Sequence, residues 1–196
     1  MRVAVTGTPG TGKTTATRLL AERDGFDFDV VHLNDIVREE GLVESTDEAR
    51  DSLVVDLDAV REWLVDEYDD ADLVLDSHLA HLLDVDRVVV LRAHPERILE
   101  RLRERGETEA SAAENAESEA LDVVLSESVD RHGTTAVHEV DTTDRDPDAV
   151  ADEVAAVVAG ERDPAVGIVD FTDYLVGSTL PEPGAEAPPE DGGDGA

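Results

Sequence analysis

Residues 2–15, RVAVTGTPGTGKTT, decide the fold of this chain. The strand-like run at 2–6 leads into a glycine-rich loop, after which apolar residues recur at the spacing of a helix. Residues 7–14 match the pattern G-x-x-x-x-G-K-[ST] between a predicted strand and a predicted helix, which is the context that this motif requires. Its glycines let successive backbone N–H groups point at phosphate oxygens, and the helix N-terminus adds partial positive charge. The stretch predicts a nucleoside triphosphate site, and a plain glycine-rich turn is the alternative.

Lys13 is the only lysine of the chain, which otherwise carries fifteen arginines. A lysine side chain is a slender point charge that fits among phosphate oxygens, whereas the guanidinium of arginine is planar. We therefore expect Lys13 to contact the β- and γ-phosphates of the nucleoside triphosphate and Thr14 to be a ligand of Mg²⁺. Chance placement of one lysine here is the alternative.

The chain has 196 residues, with 49 Asp and Glu against 16 Lys and Arg and a formal net charge of −33. This charge excludes a generic basic nucleic-acid-binding protein, so no nonspecific nucleic-acid binding is expected. The acidic residues are interleaved with regularly spaced Val and Leu, which favours a folded, acid-coated protein over disorder. Such a balance is typical of proteins from extreme halophiles, where concentrated salt screens the repulsion between like charges.

The sequence contains no cysteine, which excludes a disulfide framework, a thiol nucleophile and a cysteine-bound zinc site. No uncharged stretch approaches the roughly 18 apolar residues of a membrane span, and the N-terminus lacks the layout of a signal peptide. We expect a cytoplasmic protein that contacts no membrane.

Strand-like and helical patterns alternate along residues 1–160. Strands are predicted at 2–6, 26–33, 72–76, 86–93 and 135–141. Helices are predicted after the phosphate loop, from Asn34 as a cap to near Gly41, at 57–68, from Pro95 to Gly106, from 107 to about 129, and at 147–160. The alternation predicts an α/β fold, a P-loop NTPase with a five-stranded parallel sheet flanked by helices.

The chain changes character beyond residue 160. Residues 161–180 are expected to form a docked C-terminal extension, in which the apolar stretch 166–176 adds a strand or turn. Residues 181–196 consist mainly of Pro, Gly and acidic residues and are expected to be a disordered acidic tail.

The phosphate loop alone does not define the class of protein. The guanine-selecting N-K-x-D motif is impossible without a second lysine, and no transporter-type L-S-G-G-Q stretch occurs. About 160 structured residues are too few for the paired domains of a helicase. Small nucleoside or metabolite kinases remain.

Five further stretches follow the phosphate loop in order: NDIVREE at 34–40, DSH at 76–78, VLR at 90–92, ERG at 104–106 and ENAESE at 114–119. Together with GTPGTGKTT they resemble the atypical adenylate kinase family of the CINAP type, also called the adenylate kinase isoenzyme 6 family. The resemblance covers residues 1 to about 160 and implies a fold like that of nucleoside monophosphate kinases.

The resemblance also implies roles for particular residues. ATP phosphates would contact Gly10, Gly12, Lys13, Thr14 and Thr15. Residues of about 30–53 would form an arm that binds the monophosphate, with Arg38 on the acceptor phosphate. Residues of about 104–114 would form a lid, in which Arg105 meets ATP and takes part in catalysis. For Arg38, a solvated arginine paired with an acid is the alternative.

Three more residues complete the predicted site. Asp76 ends a predicted central strand, where a carboxylate can order Mg²⁺ through water, and a helix-capping role is the alternative. By resemblance His78 is tied to ATP turnover, although a histidine just past a strand is often only a loop hydrogen-bonder. Arg92 also ends a strand and is expected either to face a substrate phosphate or to form a surface ion pair. The remaining histidines show no metal-site spacing: His32, His81, His94, His132 and His138.

The expected activity is that of a nucleoside monophosphate kinase of the adenylate kinase type, which transfers the γ-phosphoryl group of Mg·ATP to AMP or another monophosphate and has ATPase activity. The resemblance further implies a role in small-subunit rRNA maturation, with a small-subunit ribosomal protein as partner. One alternative is a nucleotide-switched ribosome assembly ATPase whose kinase activity is incidental. A small-metabolite kinase is another, because Asn34 and DSHLA replace residues that hold the acceptor in other adenylate kinases.

Overall fold

The computed structural model of the chain describes residues 1–47, 52–69 and 71–179. Within them lie the strands β1 (Arg2–Thr6), β2 (Asp29–His32), β3 (Val43–Asp47), β4 (Ser52–Val55), β5 (Leu73–Asp76), β6 (Arg87–Arg92) and β7 (Val137–Asp141). Five strands form a parallel sheet in the order β2-β5-β1-β6-β7, and β3 pairs with β4 in an antiparallel hairpin. The predicted five-stranded parallel sheet is confirmed.

Helices connect these strands and flank the sheet. They are α1 (Lys13–Ala21), α2 (Leu33–Glu39), α3 (Leu57–Tyr68), α4 (Pro95–Glu104), α5 (Glu109–Ala120), α6 (Val123–His132), α7 (Pro147–Ala159) and α8 (Thr172–Thr179), with a short 3₁₀ turn at Ala80–Leu82. In the part of the chain that the structure describes, none of them combines the length and apolar character of a membrane-crossing segment.

The core lies on both faces of the sheet, because successive residues of a strand point to opposite sides. On one face, Val3 and Val5 share an apolar cluster with residues of α1 and α7: Ala16, Leu20, Val150 and Val154. On the other face, Ala4 shares a cluster with residues of α3 and α6: Val60, Leu64 and Leu125. Burial on both faces explains the nearly continuous Val and Leu runs of the strands. The carboxyl ends of the strands meet at one edge, where ligands bind in folds of this kind.

The single helix predicted from 107 to about 129 is wrong, because the structure has two helices, α5 and α6, which are separated at Asp122. Asp122 has a φ of +55°, a left-handed conformation that Asp adopts more readily than most residues. Its carboxylate accepts a hydrogen bond from Arg92 at the end of β6. A contact with a distant strand therefore accompanies a break that the local pattern does not predict.

Two differences from the predicted elements lie between β2 and α3. Asn34 is not the cap of α2, since that helix begins at Leu33 and follows His32, whose side chain makes no capping bond. The Asn34 Oδ1 atom instead accepts a hydrogen bond from Ser77 Oγ at 3.0 Å. The hairpin of β3 and β4 falls in a stretch where the weak periodicity predicted no element.

The C-terminal segment contacts the edge strand β7. Ala165 forms an isolated parallel bridge with His138, and its carbonyl accepts a hydrogen bond from the Glu139 amide at 2.8 Å. The chain then continues into α8 rather than into a strand over residues 166–176. The predicted disordered tail, residues 181–196, lies outside the described residues.

Candidate nucleotide-binding site

The phosphate loop joins β1 to α1 and leaves the first amides of the helix without a side-chain cap. Gly12 precedes α1 with a φ of +93°, and no side chain bonds the N-terminal amides of the helix. The first turn also holds no acidic residue, although the chain carries 49 of them. Free amides at the positive end of a helix dipole favour an anion. The local backbone therefore fits the phosphates of a nucleotide.

Gly7 shows why this loop tolerates no side chain at its start. Its φ is +134°, and a Cβ placed there would lie 2.2 Å from the Leu91 carbonyl oxygen of the neighbouring strand. Two atoms cannot approach so closely, so the loop can pass over β6 only where a glycine stands.

We expect Gly7→Ala to lower the free energy of unfolding by about 3 kcal/mol or more, because it combines a backbone clash with an unfavourable φ. Gly25→Ala is the matched control, since Gly25 has a φ of +80° in a surface turn and open space around a Cβ. The control adds a side chain at a positive φ without a clash, and its free energy of unfolding is expected to fall by about 1 kcal/mol. Denaturant unfolding in molar KCl measures both variants, and equal costs would contradict the clash.

Lys13 opens α1 with its side chain folded back under the loop. Its Nζ atom donates to the carbonyl oxygens of Gly7 at 2.7 Å and Thr8 at 3.0 Å. Burial lowers the pKa of Lys13 to about 8, although the negative charges of Asp76 and Glu119 act in the opposite direction. Within the described ranges, no carboxylate lies in hydrogen-bond contact with this buried ammonium, which is therefore suited to bind phosphate oxygens.

This pKa predicts that ATP binding weakens in alkaline solution. Bound phosphates favour the charged ammonium, so the complex keeps a proton that free Lys13 loses above its pKa of about 8. The ATP dissociation constant is expected to rise about tenfold from pH 7 to pH 9. Calorimetry of Mg·ATP in buffers of different ionisation enthalpy checks this, with proton uptake expected at the higher pH. An affinity independent of pH over this range would contradict it.

Asp76 stands at the end of β5, beside β1 in the sheet. It is buried, and its Oδ2 atom lies 2.8 Å from His32 Nδ1 and 3.3 Å from Thr17 Oγ1. No described residue donates a hydrogen bond to Oδ1. One carboxylate oxygen is therefore held in place while the other is available to a ligand. The sequence predicted no role for His32, and the structure shows that its side chain contacts the Asp76 carboxylate and helps to orient it.

The oxygen atoms present fit a magnesium ion. Mg²⁺ prefers oxygen ligands and keeps several waters. Asp76 Oδ1 offers a carboxylate oxygen near the loop, and the exposed Thr14 offers a hydroxyl in the first turn of α1. Both are donors of the kind that Mg²⁺ takes when it is bound together with phosphates.

His78 lies two residues after Asp76 and is half-buried. Burial and the nearby positive charge of Lys13 lower the pKa of His78 to about 4, so its imidazole is neutral at pH 7. Its carbonyl oxygen accepts a hydrogen bond from Thr6 Oγ1 at 3.2 Å. A neutral histidine can donate or accept a proton near the phosphates without adding charge.

An open cleft with a volume of about 190 Å³ lies beside the phosphate loop. Gly10, Gly12 and Thr15 line it together with three arginines: Arg101, Arg105 and Arg145. Arg101 NH1 also donates to the Gly10 carbonyl oxygen at 2.9 Å. Arg105 was predicted from the sequence as a site residue, whereas Arg101 and Arg145 were not. Arg101 stands four residues before Arg105 on the same helical face, which is a signal that could have found it.

Arg38 lies on the exposed side of α2, the helix that follows β2. Its guanidinium is 3.6 Å from the Asp35 carboxylate, and both side chains are more than half exposed. The ion pair predicted as the alternative for Arg38 is thus present in the structure. An exposed pair of this kind is weak and leaves the arginine available to a phosphate.

Arg92 requires a correction, because it does not face a substrate. Its side chain is 1% exposed and lies against three carboxylates, from Glu119, Asp122 and Glu139. Its Nε, NH1 and NH2 atoms all donate hydrogen bonds within this group. Arg92 is therefore the centre of a buried ionic cluster and neither a phosphate ligand nor part of a surface ion pair.

Fold and site together define a P-loop protein of the kinase fold. A family model described as an AAA domain matches residues 3–122. The crystal structure of shikimate kinase from Bacteroides thetaiotaomicron has a similar fold, with a TM-score of 0.54 and 15% identity over 81% of this chain and 98% of that one. At this identity the likeness concerns the fold alone.

Archaeal relatives define the family more closely. The chain is 61% identical over 175 residues to the "Putative adenylate kinase" of Natronomonas pharaonis, which covers 89% of this chain and all of that protein. The protein of the same name from Halobacterium salinarum is 54% identical over 176 residues and is also covered in full. That from Pyrococcus abyssi is 42% identical over 88% of this chain and 92% of the relative. The chain belongs to this archaeal family, and its CINAP type stays a prediction.

Proposed function

We propose that the chain is a nucleoside monophosphate kinase that transfers the γ-phosphoryl group of Mg·ATP to AMP or another nucleoside monophosphate. The observation that carries the proposal is the placement of the Lys13 ammonium and the Asp76 carboxylate beside the uncapped start of α1. The names of the archaeal relatives support the adenylate kinase type.

Lys13 and the backbone amides of the loop would hold the triphosphate during the reaction. Gly10, Gly12, Thr14 and Thr15 would contribute amides, and Lys13 would leave the carbonyl oxygens of Gly7 and Thr8 to reach the β- and γ-phosphates. Mg²⁺, when bound through Thr14 and a water on Asp76, supplies positive charge to the phosphate oxygens. Because phosphoryl transfer depends on positioning and charge neutralisation, the chain needs no strong general base.

Two arginines would orient the substrates. Arg105 in the cleft would contact ATP, and Arg38 on α2 would hold the acceptor phosphate once its weak pair with Asp35 opens. His78, neutral at pH 7, would order the reacting groups without repelling Lys13. These assignments follow the resemblance and the positions of the side chains around the loop.

Movement of two segments would exclude water from the reaction. The monophosphate arm, residues of about 30–53, contains α2, β3 and the start of β4. The lid, residues of about 104–114, contains the turn between α4 and α5 and the first half of α5. Incomplete closure would let water accept the γ-phosphoryl group, which accounts for the proposed ATPase activity.

An acceptor screen with γ-³²P-labelled ATP tests the proposal. The protein is incubated in molar KCl, in keeping with its net charge of −33, with Mg²⁺ and each of several nucleoside monophosphates. Label in a nucleoside diphosphate is the expected result, with AMP as the best acceptor. Label only in inorganic phosphate would contradict the kinase and favour the assembly ATPase. Label remaining in ATP with every nucleoside monophosphate would also contradict it and favour a small-metabolite kinase, whose acceptor the screen does not contain.

The role in small-subunit rRNA maturation stays a prediction of the resemblance. A ribosomal protein of the small subunit is strongly basic, and the acidic composition of this chain suits such a partner. Capture of purified small-subunit proteins by the chain loaded with ATP or ADP tests this, and we expect the nucleotide to change the amount captured.

A further inference from the structure

Glu119 of α5 is a buried carboxylate that contacts two separate parts of the molecule. Its side chain is 2% exposed. The Oε2 atom accepts a hydrogen bond from Thr8 Oγ1 in the phosphate loop. The Oε1 atom accepts hydrogen bonds from Arg92 Nε at 2.7 Å and from the Ala93 amide at 3.0 Å, just after β6. One side chain thus joins the phosphate loop, the sheet and α5, the helix that begins within the proposed lid.

We propose that Glu119 is a positioning residue for ATP, which fixes the phosphate loop through Thr8. The Thr8 carbonyl oxygen accepts hydrogen bonds from Lys13 Nζ at 3.0 Å and from Thr11 Oγ1 at 2.9 Å. The position of Thr8 therefore sets where the ammonium of Lys13 rests and how the loop curves. The inference rests on the proposed function only in taking ATP as the ligand.

Pairing with Arg92 does not by itself explain why the carboxylate of Glu119 is buried. Arg92 already has two other carboxylate partners, Glu139 and Asp122, so one guanidinium faces three acids. Burying an additional carboxylate costs free energy, and buried ionic groups are weak contributors to stability. The Oε2 atom of Glu119, moreover, bonds Thr8 rather than Arg92. In this orientation Glu119 uses one carboxylate oxygen to hold the phosphate loop.

Three variants and a control test the inference by their affinity for ATP. Thr8→Val removes the hydroxyl while leaving the Glu119–Arg92 pair in place, and Glu119→Leu removes both acceptor oxygens. The double variant carries both changes. Glu117→Leu, on the exposed side of the same helix, is the matched control. Calorimetry with Mg·ATP in molar KCl gives the dissociation constant, and thermal unfolding gives the stability of each variant.

We expect each single variant to raise the ATP dissociation constant about tenfold, the order of magnitude for the loss of a hydrogen bond to a charged group. The double variant should bind ATP about as tightly as the single variant with the lower affinity, because both changes break the same hydrogen bond between Thr8 and Glu119. The KM for the acceptor should not change. The control should bind ATP as the unmodified protein does.

An ATP affinity of folded Thr8→Val within twofold of the unmodified protein would overturn the inference, and so would additive effects in the double variant. If Glu119→Leu does not fold, Thr8→Val alone decides. A purely structural role of Glu119 would lower the melting temperature and leave the ATP affinity of the folded protein unchanged. Because ATP binding needs no acceptor, failure of the kinase activity in the acceptor screen is a separate result.

Discussion

Lys13→Ala is expected to lower kcat/KM for ATP by about 10³-fold or more and to leave the fold intact. Removing one preorganised charged donor at a reacting phosphate costs at least this order of magnitude. The fold should persist because, among the described residues, Lys13 Nζ donates hydrogen bonds only to the Gly7 and Thr8 carbonyl oxygens and to no carboxylate. Steady-state phosphoryl transfer and thermal unfolding, both in molar KCl, measure the two effects.

Two matched variants separate the chemistry of Lys13 from its charge. Lys13→Arg keeps the positive charge but should also be inactive, because the planar guanidinium is too broad for the space under the loop. Arg18→Ala removes an exposed cation from the same helix and should leave turnover unchanged. Turnover of folded Lys13→Ala close to that of the unmodified protein would refute the assignment of the site.

Asp76→Asn is expected to lower kcat by about 10²-fold and to raise the Mg²⁺ concentration needed for half-maximal activity. The amide has the size of the carboxylate and can still accept from His32, so the change removes mainly the negative charge. A magnesium titration of the initial rate measures both effects.

The matched control is Asp66→Asn, which removes a carboxylate charge at an exposed position on α3. It is expected to change neither kcat nor the magnesium requirement. An unchanged magnesium requirement in Asp76→Asn would show that its carboxylate does not serve the metal. It would leave the assignment of Lys13 untouched, since the two side chains are tested by different readouts.

Local patterns were sufficient to predict the sheet and the phosphate loop. The loop motif sits between a strand and a helix, and the residues of the motif follow one another directly in the sequence. The strands are buried on both faces and therefore stand out as short apolar runs. Asp76 could be predicted as a site residue because the end of a central strand falls at the ligand-binding edge of such a sheet.

Contacts between distant residues account for what the sequence did not predict. Arg92 looked available from its position at a strand end, but Glu119 and Glu139 enclose it from 27 and 47 residues away. Asp122, at which α5 and α6 are separated, belongs to the same ionic cluster. Helix propensity alone does not predict this break. Arg145 reaches the cleft from the loop before α7, a position that only the packed fold brings next to the phosphate loop.

Calorimetric titration of the folded, unmodified protein with ATP tests the central claim most directly, namely that residues 7–14 enclose a triphosphate. In molar KCl we predict saturable binding at one site that requires Mg²⁺ and is lost in Lys13→Ala. Absence of any ATP uptake by folded protein in the presence of Mg²⁺, or equal uptake by Lys13→Ala, would contradict the account.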